Sequence, residues 1–156
     1  MLKIVVFLIL ALIPGLLWLY HFYRKDIYDP EPPAWVLGTF ALGALAVFPA
    51  SFLETILQIF WSYAVPTPAK LFEAINYFLN VGPVEETLKF SAVYFFAYRQ
   101  RHFNEPVDGI IYASAAALGF ATAENILYMY SMGWHVIFLR GFLTSLAHVM
   151  FACMWG

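Results

Sequence analysis

Uncharged apolar runs alternate with short polar, proline-bearing stretches along the whole chain, and the runs have the length of membrane crossings. As a helix, about 20 apolar residues cross roughly 30 Å of hydrocarbon. Ile4 to Phe22 is the first such run, and a polar loop from Arg24 to Pro33 follows it. The second starts at Ala34, meets no charge until Glu54 and stays apolar to about Val65. A single straight helix of that length would measure about 48 Å, so the pattern predicts a kink at Pro49 or an exit from the bilayer at Glu54. Beyond Pro66 and Pro68, Lys70, Glu73, Tyr77 and Asn80 recur on one helical side, and Leu71, Phe72, Ile75, Phe78 and Leu79 on the other. That texture predicts an amphipathic helix at the interface. Gly82-Pro83 predicts a break, after which a third crossing runs from Pro83 to about Tyr98. The fourth runs from Val107 to about Tyr130 and the fifth from Trp134 to Gly156. The expected fold is all-α, a polytopic transmembrane helical bundle of about five spans plus an interfacial amphipathic helix.

Composition agrees with this pattern. Of 156 residues, 63% are hydrophobic and 12% charged, against about 45–50% and 25% in soluble domains. A membrane barrel would show short alternating strands in place of these continuous runs. A net charge of −2 leaves no basic footprint for nucleic acid. Cys153 stands alone, so no intrachain disulfide forms. The first run ends in His21-Phe22-Tyr23-Arg24-Lys25 without a small-residue cleavage site, which marks a retained span instead of a signal peptide. Arg24 and Lys25 in the first loop, and Arg99 and Arg101 in the third, outnumber the single Lys70 of the second. This bias places loops one and three in the cytoplasm and the amino terminus outside, in a multi-pass plasma-membrane arrangement.

Ionisable groups within a span cost about 2.5–3.5 kcal/mol each, so each demands a reason. Glu85 and Glu86 stand four and three residues before Lys89, in helical reach of its ammonium. One cation cannot offset both carboxylates. A carboxylate in a dry place, at a helix's first turn beside a cation, suits a general base. On the fourth segment, Ala115, Gly119 and Ala123 recur every four residues, a stripe that admits close helix approach and delivers Glu124 and Asn125 to a packed interface. Arg140, Thr144 and His148 share one face of the fifth. Arg140 needs a carboxylate partner, either Glu124 or one of the Glu85/Glu86 pair. At about 1.5 Å per residue, Glu86, Glu124 and His148 fall at overlapping depths near mid-membrane. Glu54 and Glu73 are read as interfacial, and Asp108 as a first-turn carboxylate behind Pro106.

Glu85-Glu86-x-x-Lys89, Phe120-x-x-x-Glu124-Asn125 and Arg140 followed by His148, in that order on successive spans, resemble the PrsW family of glutamic-type intramembrane proteases. That family belongs with the CAAX-prenyl endopeptidases and bacteriocin self-immunity proteins. The resemblance implies metal-independent, cofactor-free cleavage of a single-span membrane protein such as an anti-sigma factor, the first cut of regulated proteolysis. It implies that Glu85 or Glu86 activates the attacking water with His148 assisting. Glu124, Asn125, Lys89 and Arg140 would position the water, hold protonation states or stabilise the oxyanion. The family carries a further span bearing another His with a polar residue four positions on. Here Ala152 stands four residues after His148, and Cys153-Met154-Trp155-Gly156 ends an apolar segment. The expectation is therefore one protease-like membrane domain over residues 1–156, truncated at its carboxyl end.

Three other readings use the same charges. One is a CAAX-prenyl or bacteriocin-type processing peptidase. Another is a non-enzymatic proton or solute pathway, disfavoured by the lack of an internal repeat. The third is a metalloenzyme with Glu85, Glu86, Glu124 and His148 as ligands. No His-Glu-x-x-His pattern supports it, and Lys89 opposes a second cation.

Overall fold

Each apolar run folds as a helix, because a backbone in hydrocarbon must satisfy its N–H and C=O groups within its own segment. The structure, a computed structural model, describes residues 2–27, 29–64 and 68–156, and the backbone alone of residues 64, 69 and 70. The side chain of Lys70, expected on the polar side of the amphipathic stretch, lies outside the described residues. Five helices result and, among the described residues, no strand. They are α1 (Leu2–Tyr23), α2 (Pro33–Ala64), α3 (69–97), α4 (Pro106–Met132) and α5 (Trp134–Ala152). All but α3 are long and apolar enough to cross a membrane. Helix α3 carries Glu73, Glu85, Glu86 and Lys89.

Helix α4 is the spine, with every residue from Ile111 to Thr122 buried. Pro106 opens it without wasting an N–H, and Asp108 accepts the backbone N–H groups of Asn104 and Glu105 at 2.7 Å each. Small side chains let α2 approach it backbone to backbone. A methyl group added at Gly43 would run into the Ala116 carbonyl, and one at Gly119 into the Phe40 carbonyl. With no hydrophobic drive between helices in lipid, such contact supplies the packing energy. Large apolar side chains face outward instead, among them Ile9 and Leu17 on α1 and Phe48 and Phe52 on α2.

Helices α2 and α3 run on through an internal proline. Helix α2 runs unbroken through Pro49 and past Glu54 to Ala64. Helix α3 continues through Gly82-Pro83, so the segments expected as an interfacial helix and a separate third crossing form one helix, and four candidate spans stand where five were expected. An α turn would press the Pro83 ring against the carbonyl four residues back and leave a bond unmade. The stretch Tyr77–Val81 widens to a π turn, and the Gly82 N–H reaches the Tyr77 carbonyl five residues back. A π turn tolerates the proline and shifts the phase of the residues that follow.

Loops one and three meet at one end of the bundle, where Asn104 Nδ2 lies 3.3 Å from Asp29 Oδ2. Glu31 is pinned beneath them and is 1% exposed. The Tyr112 hydroxyl on α4 donates to its carboxyl, and the Tyr23 hydroxyl donates to its backbone carbonyl at 2.9 Å. Burial is the main cause that pushes Glu31 up from an ordinary 4.5 to about 7, against the Tyr112 bond, with Asp108 and Asp26 adding repulsion. The folded protein thus binds this proton more tightly than the unfolded chain. The associated stability is full below about pH 4.5 and is lost as pH rises through about 7. Thermal melts in detergent should show the wild type losing stability between pH 5 and 8, and Glu31→Gln should flatten that slope. A slope unchanged in the variant would assign it to other groups.

Candidate active site

The phase set by the π turn at Tyr77–Val81 brings Glu85, Glu86 and Lys89 on α3 to the face that meets α4 and α5. A further π turn, Arg140–Thr144, lies on α5 and opens with Arg140. It widens the step between Arg140 and His148, and both side chains still reach Glu124 on α4. All seven residues singled out in the sequence join one connected network.

Lys89 is its centre, with no exposed surface. Its ammonium donates to Glu85 Oε2 at 3.0 Å, to Glu86 Oε1 at 2.7 Å and to His148 Nδ1 at 2.8 Å. The Phe120 ring closes another side, its centroid 4.3 Å from Nζ. An ammonium has no lone pair, so His148 Nδ1 accepts and the ring proton belongs on Nε2, a tautomer assigned from the partners. Nε2 lies 3.1 Å from Glu124 Oε2, which also accepts from Arg140 Nη2 at 2.8 Å. Arg140 Nε donates to Asn125 Oδ1 at 3.1 Å, and the guanidinium lies over the Tyr128 ring. A continuous line of charge-assisted bonds therefore runs from Arg140 through Glu124, His148 and Lys89 to the paired glutamates.

The two glutamates differ in what they have left to offer. Glu86 spends Oε1 on Lys89 and Oε2 on the Trp155 indole N–H, 2.9 Å away. Glu85 spends only Oε2, and its Oε1 makes no hydrogen bond among the described residues. Both line a cavity of about 430 Å³ between α3 and the end of α5, with His148 on the same wall and Tyr77, Phe78 and Phe151 around it. A water held there against Glu85 Oε1 would meet an unspent lone pair in mostly apolar surroundings, the setting for a general base.

Sequence reasoning missed two participants. Trp155 was detectable only as an indole N–H in an apolar segment in want of an acceptor. Ser145, 3.4 Å from Asn125 Nδ2, had no signal at all. Glu54, expected at an interface, has a buried Oε1 and lies within electrostatic reach of Glu85, Glu124 and Lys89. Asn80 on α3 donates to its backbone carbonyl at 3.1 Å. Arg140 is committed to Asn125 and Glu124, and Asn125 to Arg140 and Ser145, so they stand behind the imidazole and do not line the cavity.

Residues 31–156 match the profile of the PrsW family intramembrane metalloproteases. The chain is 39% identical over 143 residues to Protease PrsW of Geobacillus kaustophilus, covering 92% of this chain and 60% of that protein. It is 37% identical over 143 residues to Protease PrsW of Bacillus subtilis, covering 92% and 62%. With Protease PrsW of Clostridioides difficile it shares 34% identity over 157 residues, covering 95% and 62%. The chain thus spans about three fifths of the length of these curated relatives. No solved structure matches it.

The profile's description names a metal, and the side chains offer a direct test of that. Glu85, Glu86 and His148 present ligand atoms within 4.8 Å of one another, a set with zinc-like chemistry. The Lys89 ammonium already binds one such atom of each, at 2.7–3.0 Å. A dication cannot share that position with a fixed positive charge. As arranged, the residues do not fit a metal.

Truncating one partner of a buried ion pair leaves the other uncompensated, at about 3–5 kcal/mol. Arg140→Met should therefore lower stability by about that amount in a detergent melt. Adding Glu124→Gln should recover part of the loss, and strict additivity of the two changes would show that the pair is not coupled.

Proposed function

From the premise that this chain belongs to the PrsW family of intramembrane proteases, we propose that it is a multi-pass endopeptidase that hydrolyses a peptide bond of a membrane-anchored protein without a metal. The observation that carries the reading is Glu85 on the wall of a cavity, with one carboxylate oxygen fixed by Lys89 and the other unspent. Glu85 takes a proton from a bound water as its oxygen attacks the substrate carbonyl, and returns the proton to the departing amine. Positioning a general base in this way contributes typically about 10²–10⁴-fold in rate.

The other residues prepare that step. Lys89 fixes both glutamates and His148, and Glu86 is further held by Trp155. Glu124 and Arg140 fix the imidazole, as the acidic partner does in other hydrolytic triads. His148 assists through Lys89, since its Nδ1 lone pair is already occupied. The cavity's apolar rim suits an apolar, membrane-buried stretch of substrate. A single-span anti-sigma factor cut in a first regulatory step is the substrate class that the family resemblance supports. The Lys and Arg residues of loops one and three, loops held together at one end, support a plasma-membrane orientation with the amino terminus outside.

Co-expression with a tagged single-span anti-sigma-type substrate tests this reading. Cutting should persist with added chelator and fall at least about 100-fold in Glu85→Gln, with the variant still present in the membrane. Cutting that stops with chelator and returns with zinc would overturn it.

A further inference from the structure

Three acceptors and the atom at their focus describe an ion site. Glu85 Oε2, Glu86 Oε1 and His148 Nδ1 all point at one position, and Lys89 Nζ fills it with one N–H for each. Around these atoms stands the outer support that a metal centre ordinarily has. The second nitrogen of His148 is held by Glu124, and the second oxygen of Glu86 by Trp155. Without the lysine these three residues, which offer ligand atoms within 4.8 Å of one another, form a two-carboxylate, one-imidazole set that suits a zinc-class dication. Such an ion would draw its ligands in from 2.7–3.0 Å to about 2.0–2.2 Å.

We propose that Lys89 is a tethered cation standing in a metal position, supplying the charge that organises Glu85, Glu86 and His148 while excluding divalent ions, so that its removal opens a latent metal site. The buried stem holds the charge in place permanently, whereas a metal's occupancy depends on supply. This rests on the metal-free part of the proposed function, and it is tested by binding, so that a missing substrate does not affect the outcome.

The experiment titrates Co²⁺ into the purified protein in detergent, reading its visible absorption and the melting temperature. The wild type should take up no stoichiometric Co²⁺ and its melt should not move. Lys89→Met should melt lower than the wild type and bind one equivalent of Co²⁺, which raises its melt again. Lys89→Ala should behave alike, and Lys89→Met/His148→Gln should lose the band. A folded lysine variant that binds no Co²⁺ would overturn the proposal. So would a wild type that binds one equivalent in a His148-dependent way, a result that needs no lysine variant to fold.

Discussion

A primary ammonium with no exposed surface, inside a bundle that must sit in hydrocarbon, is the condition to which the rest of the molecule answers. Charge at that depth is tolerable only when every donor is met and countercharge is at hand. Lys89 meets two carboxylates, an imidazole nitrogen and the face of Phe120. Two carboxylates then exceed one ammonium, and Glu124 adds a third negative charge beside His148. Arg140 balances Glu124 from the far side, and Asn125 and Ser145 hold Arg140 and its surroundings. The result is an alternating sequence of positive and negative groups across three helices.

That alternation depends on backbone geometry of unusual width and closeness. Helix α4 can bring Glu124 into the network because Gly43 and Gly119 let α2 and α4 touch at their backbones. Helix α3 delivers Glu85, Glu86 and Lys89 because a π turn carries it through Gly82-Pro83 without a break. Helix α5 holds Arg140 in another such turn, with His148 beyond it. Stretches of this kind are marginal alone and persist where surrounding contacts hold them, which is why they gather at functional sites.

The apolar helices and the seven residues of the candidate site were legible in the sequence for a common reason. Lipid demands long apolar runs, and against such runs each charge stands out. Pairings were harder. Spacing alone left Lys89 able to reach either glutamate, and it binds both; Arg140 had three candidate partners and takes Glu124. Trp155, Glu54 and Glu31 acquire their surroundings only from helices distant in sequence, so nothing local marked them. The continuity of α3 was hidden because proline normally ends a helix, and the π turn that accommodates it has no composition of its own.

The bond from Lys89 to His148 fixes the imidazole tautomer, and the bond from Lys89 to Glu85 Oε2 leaves Oε1, the base we propose, unspent. Nitrogen-15 NMR of histidine-labelled protein at neutral pH, with the His148 signal identified by its loss in His148→Gln, reads that tautomer directly. An ammonium donating to His148 requires a neutral ring with the proton on Nε2 and a bare, hydrogen-bonded Nδ1. A proton on Nδ1, in either the other neutral tautomer or the imidazolium, would contradict it, because the ammonium could not then donate to His148.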